Sequence, residues 1–303
     1  MSADSFRALH ERLRHQVPWG AGDRRGALNH ITPERLAAAA GEVRLGRTVT
    51  LAAPLARSAP DNPEPAARHM KRLPGEPSDV PGVSFAADQL VLNVHGDVDS
   101  HIDALCHVSY EGTMYNGVRP GAVTSQGASE LSIEDARNGI VGRGVLLDIP
   151  RHRGIRWLEP GDSVSAAELA AAEAAQQVQV GPGDVLFVRV GHRRRRDELG
   201  PWDVAKSRAG LHPDALAYLA EHQIAALGSD SNSDTAPSVV EGVAFPVHVL
   251  AIQAMGLHLL DYLQFEDLLR ACEAAGRWTF LCVVAALRLP GGTGSPVNPI
   301  AIL

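Results

Sequence analysis

Residue types that bind divalent cations are concentrated in one short segment of the chain. The segment holds His95, Asp97, Asp99, His101, Asp103 and His107. An apolar stretch, 90–94, precedes it and is predicted to be a strand. On an extended backbone, the side chains of His101 and Asp103 project to the same side, while Ile102 points away. The two-residue spacing therefore predicts a pair of ligand groups that could hold a cation.

Other residues of the segment could complete this pair. If the chain turns helical after Asp103, His107 lies one turn later and returns to the same side. Asp97 or His95 could supply a further ligand. Imidazole and carboxylate groups without a set of thiolates suit Zn²⁺ or Mn²⁺, and the spacing does not choose between the two metals. The alternative interpretation is that these side chains only make hydrogen bonds at the end of a strand.

A second group of such residue types lies later in the chain, at His248 and Asp261. The stretch 245–260 is predicted to be helical, and thirteen residues of helix span roughly 20 Å. The two residues can share one cation only if the helix breaks near Gly256 and the chain folds back. From the residues alone, both are interpreted as structural, and Asp234, in a serine-rich turn, is interpreted as a partner of local backbone donors.

Strands and helices alternate along the chain, which predicts an α/β or mixed α+β fold in a single domain, 1–303. Strands are predicted at 43–55, 90–94, 144–149, 184–190, 224–227 and 279–289, and helices at 32–40, from 165 onward, at 212–221, 245–260 and 265–275. We describe 1–42 as an N-terminal extension. The proline-rich segment 58–82 is predicted to be a long loop, of the kind that often forms a lid or a dimer arm.

Composition narrows the classes of partner and the compartment. A formal net charge of -7 and a pI near 6.0 make nucleic acid and anionic membranes poor partners. Three widely spaced cysteines and the lack of an apolar leader predict a cytoplasmic protein without disulfides. The basic run 192–196 is predicted to be a solvated loop, or alternatively an anchor for an acidic substrate or for carboxylates of a partner.

The segment His101-Ile-Asp103-Ala-Leu-Cys-His107 resembles the metal-binding signature of the cyclase family of metal-dependent hydrolases, which includes bacterial kynurenine formamidase and isatin hydrolase. In that signature a histidine, an H-x-D element and a further histidine gather the metal. The segments 19–29, 32–34, 115–117 and 291–299 also look like the longer members of the family. The resemblance implies a swivelling β/β/α fold and a homodimer or homotetramer in which neighbouring subunits commonly complete each site.

The resemblance also implies roles for individual residues. The metal ligands it predicts are Asp97, His101, Asp103 and His107, and the catalytic residues it predicts are His107, His248 and Asp261. One position departs from the family, because the first metal histidine falls on Asp97. Either Asp97 binds the metal in its place, or His95 does, or this ligand is missing. Asp261 stands where glutamate is common, and its shorter reach bears on whether a second metal binds.

The favoured function is therefore hydrolysis of a small carbonyl compound, at an amide or at a lactone or ester bond, through a metal-activated water. His107, or His248 together with Asp261, would transfer the proton. One alternative is a metal-dependent cyclase or dehydratase, a lyase that acts on a biosynthetic intermediate. Another is a metal-binding homologue without catalytic activity. The expected partners are a small-molecule substrate and other copies of the chain.

Overall fold

A nine-stranded sheet is the central element of the computed structural model, which describes residues 1–55, 58–59, 61–76 and 80–303. The strands of the described residues are β1 Thr48–Thr50, β2 Ala67–Arg72, β3 Ala87–Val91, β4 His101–Asp103, β5 Val123–Thr124, β6 Gly127–Ala128, β7 Ile140–Asp148, β8 Ser163–Val164, β9 Val185–Arg189, β10 Gly210–Leu211, β11 Ala226–Ser229, β12 His258–Asp261, β13 Thr279–Val284, β14 Gly294–Pro296 and β15 Ile300–Ile302. The order across the large sheet is β1-β15-β13-β7-β9-β11-β12-β4-β14.

Eight α-helices accompany the strands in the described part of the chain. They are α1 Ala3–His15, α2 Pro33–Ala39, α3 Ile149–Arg153, α4 Ala166–Ala175, α5 His192–Leu199, α6 Ala215–Glu221, α7 Pro246–His248 and α8 Glu266–Ala275. A π-helix, Val249–Met255, continues α7, and short 3-10 helices occupy Gly26–His30, Ala40–Glu42, Tyr115–Gly117, Pro120–Ala122 and Ile133–Ala136. None of the helices in the described ranges is both long and apolar enough to span a membrane.

The middle of the sheet is parallel and buried. Strands β7, β9, β11 and β12 run parallel to one another, and every residue of β9 is buried. Helices pack against this part, with α3 on β9 and α4 on β7. A strand that is covered on both faces has a continuous run of apolar residues. Such a run at 184–190 predicted this strand correctly. The prediction of a mixed α/β single domain is confirmed.

Local signals placed two helices correctly. The Ser165 hydroxyl accepts a hydrogen bond from the backbone N–H of Glu168 at 3.3 Å and caps α4. The Thr32 hydroxyl caps α2 in the same way, with a proline at the first helical position. Two predicted strands are too long. The structure has only three residues of strand within 43–55, and the strand predicted at 279–289 ends at Val284.

The N-terminal extension contains a helix that the sequence analysis did not predict. Helix α1 buries Phe6, Leu9 and Leu13, a stripe at helical spacing, and packs against the π-helix. His10, on the same face, forms a 2.6 Å hydrogen bond with the side chain of Gln253. The first helix of the chain is therefore α1, and it supports the element that carries His248.

Both interpretations of the basic run 192–196 are wrong. The run lies in α5, and its arginines bind groups within the chain. Arg193 is buried and donates to the backbone carbonyls of Leu263, Val98 and Tyr262. The other arginines form salt bridges: Arg194 with Glu198, Arg195 with Glu159 and Arg196 with Asp61. Carbonyl oxygens and carboxylates of this chain therefore occupy the charges that were considered for a substrate or a partner.

The proline-rich segment 58–82 is only partly a loop, and its residues 60 and 77–79 lie outside the described residues. Strand β2 falls inside the segment and pairs antiparallel with β3 in a two-stranded hairpin. Almost every residue of both strands is exposed. The prediction missed β2 because its residues do not alternate between apolar and polar, since neither face is buried.

Candidate metal centre

Strand β4 carries the predicted ligand pair into the sheet beside β12. In the antiparallel pairing of these strands, His101 lies opposite Asp261, and Ile102 lies opposite Leu260. All three residues of β4 are buried, and Ile102 belongs to the hydrophobic core. Alternation along the strand therefore leaves His101 and Asp103 on the other side, as predicted.

Strand β14 covers the other edge of β4 and makes room for His95. Gly294 pairs with Asp103, and a Cβ atom at this glycine would lie only 2.7 Å from Cε1 of the His95 ring. His95 Nε2 and the Thr293 hydroxyl form a hydrogen bond, with the two heavy atoms 2.9 Å apart. The same ring stacks on that of His107, with centroids 3.8 Å apart.

The first group of potential ligands comprises His95, His101 and Asp103. Its ligand atoms all lie within 4.8 Å of one another. His101 Nδ1 donates to the carbonyl of Asp99 at 2.9 Å, which leaves the Nε2 lone pair directed toward Asp103 Oδ1 at 3.7 Å. His95 Nδ1 lies 2.9 Å from the same oxygen. At this distance a shared proton or a cation can bridge His95 Nδ1 and Asp103 Oδ1.

The second group shares Asp103 and adds His248 and Asp261. His248 Nε2 lies 3.5 Å from Oδ2 of Asp103 and 3.5 Å from Oδ2 of Asp261. The π-helix after His248 ends at Gly256, which adopts the left-handed conformation with φ of 66°, and the chain turns back into β12. The predicted helix 245–260 is therefore wrong beyond Met255. The break near Gly256 that would bring His248 and Asp261 together is present.

Asp234 fixes the orientation of the His248 ring. Its Oδ2 accepts hydrogen bonds from His248 Nδ1 at 2.6 Å and from the His248 backbone N–H at 3.0 Å, and its Oδ1 accepts from the Val247 backbone N–H at 2.6 Å. The sequence analysis identified the role toward backbone donors but not the contact with the ring. With its Nδ1 proton held in this way, His248 presents its Nε2 lone pair to the site.

Two orphaned oxygens support a cation at this place. Oδ2 of Asp103 and Oδ2 of Asp261 are buried and have no hydrogen-bond partner among the described residues. Buried carboxylate oxygens are normally paired, because an unpaired one loses its hydration without compensation. Both oxygens face the same nitrogen of His248. The imidazole and carboxylate donors that are present therefore fit a divalent cation of the Zn²⁺ or Mn²⁺ type.

The pKa values of these groups reflect their mutual charges. Burial raises the pKa of Asp103, but interactions with the imidazoles of His248 and His95 outweigh burial and hold it well below its ordinary value. Burial lowers the pKa of His248, but contacts with Asp103 and Asp234 raise it well above the ordinary value. Without a bound cation, a proton on His248 thus balances the carboxylates. A cation that binds here has to displace that proton.

His107 lies in the wall of the same cavity but has a different electrostatic environment. Burial lowers its pKa to about 4, despite the opposing effect of Asp103. The ring is therefore neutral at pH 7 and can accept a proton. His107 is outside both groups of potential ligands among the described residues, so its prediction as a metal ligand stays a prediction.

Asp97 is also outside both groups. Its Oδ1 accepts a hydrogen bond from the Tyr262 hydroxyl at 3.2 Å. The structure places His95, the alternative that was considered for this position, beside His101 and Asp103 instead. The ligand role of Asp97 stays a prediction, and no signal in the sequence pointed to its contact with Tyr262.

A cavity of about 490 Å³ opens onto the two groups. The residues that line it are His95, Gly96, Asp97, His101, Asp103, His107, Val108, Ser109, Tyr110, Asn232, Gly242, Val243, Ala244, Phe245, His248 and Val249. Polar ligand groups occupy one wall, while valines and Phe245 supply much of the rest. Such a cavity suits a small molecule with an apolar body.

Comparisons with known proteins find a matching family and similar solved structures. A family model described as putative cyclase matches residues 49–235. The crystal structure of a novel cyclase is 31% identical, covers 97% of this chain and 99% of its own, and superimposes with a TM-score of 0.87. No curated protein sequence gives a significant match.

Two more distant structures share the fold. An isatin hydrolase bound to the product analogue thioisatinate is 22% identical, with coverage of 87% of this chain and 94% of its own and a TM-score of 0.57. A predicted metal-dependent hydrolase from Bacillus stearothermophilus is 18% identical, with coverage of 84% and 97% and a TM-score of 0.52.

Proposed function

This chain belongs to the putative cyclase family, and we propose that it is a metal-dependent hydrolase that cleaves an amide, ester or lactone bond of a small carbonyl compound. The observation that carries the proposal is the pair of orphaned carboxylate oxygens, on Asp103 and Asp261, that face His248 Nε2 beside a cavity. The resemblance in fold to isatin hydrolase supports the same reaction class.

The proposed ligands are the members of the two groups: His95, His101, Asp103, His248 and Asp261. Asp103 belongs to both groups, so it would contact any cation that either one holds. When bound, Zn²⁺ or Mn²⁺ supplies a Lewis acid that polarises a carbonyl group and acidifies water. Asp234, on the far side of the His248 ring, keeps the ring in the tautomer that can bind.

His107 is the proposed proton carrier. Its low pKa keeps the ring neutral, so it can accept a proton from the attacking water as the C–O bond forms. It then returns this proton to the leaving nitrogen or oxygen as the bond between that atom and the carbonyl carbon breaks. The contact with His95, which lies flat against it, holds the ring in the wall of the cavity during both transfers.

The test begins with wild-type protein stripped by a chelator and reloaded with Zn²⁺ or Mn²⁺. We expect elemental analysis to find at least one equivalent of bound cation, and we expect hydrolysis of some members of a panel of small amides, esters and lactones. In H₂¹⁸O, hydrolysis places one ¹⁸O atom in the product. A protein that binds no divalent cation would refute the metal site. Turnover without incorporation of ¹⁸O would instead indicate a lyase, and bound metal without turnover of any compound would indicate a binding protein.

We further propose that a second copy of the chain covers the β2–β3 hairpin. The large apolar side chains exposed on the hairpin and its connection are Met70, Leu73, Val80, Val83, Phe85, Leu90 and Val91. A two-stranded hairpin with both faces exposed is marginally stable by itself. Exposed apolar side chains in this number on one hairpin are typical of an interface between subunits.

Replacing Phe85 and Val91 together with aspartate is expected to convert the homo-oligomer into monomers. Both side chains are about half exposed in one chain, at 54% each, so the charges do not enter the core of the subunit. In an interface they would be buried without partners, which should weaken association by about 100-fold or more. Light scattering after size exclusion measures the change. Leu199→Asp, at an equally exposed leucine on α5, is the control. A wild-type chain that is monomeric at micromolar concentration would contradict this proposal.

A further inference from the structure

Asp97 differs from the other carboxylates around the metal centre in its position and contacts. It lines the cavity, yet it belongs to neither group of potential ligands among the described residues. Asp103 and Asp261 are buried, whereas Asp97 is exposed to the cavity. Its carboxylate is therefore accessible to a molecule that enters the site.

Tyr262 holds Asp97 from behind. The tyrosine is fully buried, and its hydroxyl donates to Oδ1 of Asp97 at 3.2 Å. Its backbone adopts the left-handed conformation, with φ of 55°, which is unfavourable for a bulky residue and persists only where the surroundings impose it. The Tyr262 carbonyl accepts hydrogen bonds from Ser100 Oγ and from Arg193. The support of the Asp97 carboxylate is therefore rigid.

Apart from the proposed cation at the metal centre, the described lining of the cavity has no cationic side chain that would pair with a negative group on a substrate. No lysine or arginine is among the described residues that line it. Arg208 approaches the cavity from behind Phe245, with its Cζ 5.4 Å from the ring centroid. Its guanidinium is buried and donates to the carbonyls of Asp234 and Val204. A carboxylate beside Asp97 would meet a like charge and no partner.

Apolar side chains in the lining can accept an apolar body. They are Val243, Phe245 and Val249, and Tyr110 adds a further ring. A compound bound between these side chains and the metal ligands lies in the same cavity as Asp97, so its remaining substituents can approach the Asp97 carboxylate. A carboxylate attracts ammonium and N–H donors and repels anions, most strongly where a cavity reduces the access of water.

On the basis of the proposed hydrolase function, we propose that Asp97 is a specificity-determining residue that selects apolar carbonyl compounds bearing an ammonium or N–H group and rejects those bearing a carboxylate. This assigns Asp97 to recognition of the substrate and leaves binding of the metal to His95 and the other group members. The two roles can be separated by experiment. Loss of a recognition residue changes the ranking of ligand affinities, whereas loss of a metal ligand changes the metal content.

The probes are benzohydroxamates that carry an aminomethyl, hydroxymethyl or carboxylate substituent at position 3 or 4. All share one metal-binding group, so differences in affinity within an isomer series report on the substituent. Calorimetry with metal-loaded wild type is expected to rank cation above neutral above anion in at least one series, with about 20-fold between the extremes. The Asp97→Asn variant should compress this range to about 3-fold or less. Hydrolysis of matched ester substrates should follow the same ranking.

Controls separate recognition from metal binding and from folding. Asp97→Asn is expected to keep the wild-type metal content by elemental analysis, and Tyr262→Phe should keep the metal while it weakens the ranking. Asp267→Asn removes an exposed carboxylate outside this cavity and should leave the ranking unchanged.

Loss of metal from Asp97→Asn would overturn the inference, because Asp97 would then be a ligand. Equal affinities, or no binding, across both series in wild type would overturn it as well, as would an unchanged ranking in Asp97→Asn. If the ranking is found but wild type hydrolyses nothing, the hydrolase function fails while Asp97 remains the group that selects ligands. If hydrolysis is found without the ranking, only the role of Asp97 fails.

Discussion

Asp103→Asn is expected to lower the affinity of the protein for Zn²⁺ or Mn²⁺ by about 100-fold or more. Zinc-finger peptides bind structural zinc with roughly 10–16 kcal/mol, and an even share among five ligands gives about 2–3 kcal/mol for one of them, which corresponds to about two orders of magnitude. Asp103 is the ligand that both groups share. Its loss cannot be compensated by a shift of the cation from one group to the other.

The substitution tests charge and donor chemistry with little change in shape. Asparagine has the size of aspartate, but one oxygen becomes an NH₂ group that donates hydrogen bonds. Whichever way the amide turns, that donor faces either His95 Nδ1 or His248 Nε2. The lone pair of one imidazole is then directed at a proton donor and not at a cation. The fold should be retained, because the backbone bonds of β4 to β12 and β14 do not involve the side chain.

Competition with a chromogenic chelator measures the affinity, and elemental analysis after gel filtration gives the stoichiometry. Asp267→Asn, which removes an exposed carboxylate on α8, is the matched control and should bind metal as wild type does. The metal-free Asp103→Asn variant must also unfold at a temperature close to that of metal-free wild type. Stoichiometric metal of wild-type affinity in this variant would contradict the proposed site.

Local patterns were sufficient to predict the half of the site that lies on β4. His101 and Asp103 are two residues apart on one strand, and alternation alone places both on one side. The capping residues Ser165 and Thr32 act over three residues, so their helices could also be located from the sequence. These features depend on neighbours in the chain, and a single sequence reports on such neighbours well.

The other half of the site depends on contacts between distant segments. His248 and Asp261 meet only because the chain turns back at Gly256, whose backbone packs against Tyr115 and Gly26. A Cβ at Gly256 would lie 2.5 Å from the Tyr115 ring, so the glycine is required there by residues far away in sequence. The apolar pattern of 245–260 continues across the turn, which made one long helix the natural prediction.

The choice between His95 and Asp97 was open for a similar reason. Both precede β4 in a stretch without regular structure, so spacing did not indicate which side chain turns inward. In the structure Gly294 leaves space for the His95 ring, and the Tyr262 hydroxyl donates to Asp97. The ligand role of either residue stays a prediction. Helix α1 is a different case, because the apolar spacing of Phe6, Leu9 and Leu13 by itself indicates a helix, although none was predicted there.

The second large effect is expected from Asp234, a residue that would not contact the cation. Asp234→Asn should weaken metal binding by about 10-fold to 100-fold, the usual consequence of losing the carboxylate that orients a metal-binding histidine. Three donors converge on Asp234: His248 Nδ1–H and the backbone N–H groups of Val247 and His248. A carboxylate accepts all three, whereas an asparagine has a single oxygen and must direct its NH₂ group at one or more of these donors.

In Asp234→Asn, the smallest rearrangement that avoids an NH₂ group facing an N–H donor is a change in the tautomer of His248. If the asparagine NH₂ donates to Nδ1, the ring proton moves to Nε2, the atom that faces Asp103 and Asp261. His248 can then bind a cation only after it changes tautomer again. The deficit should therefore lie in metal affinity, and kcat at saturating metal should recover in part. A variant without the carboxylate also loses one contribution that raises the pKa of His248.

These consequences give Asp234→Asn a signature that general destabilisation would not produce. In metal-free wild type the raised pKa keeps His248 protonated to higher pH, so metal uptake releases a proton and the affinity falls as the pH is lowered. When Asp234→Asn binds metal at neutral pH, fewer protons should be released. Below neutral pH, its affinity for the metal should depend less steeply on pH. Calorimetry in two buffers of different ionisation enthalpy counts the protons. Wild-type proton release together with wild-type affinity would show that Asp234 only caps the backbone of Val247 and His248.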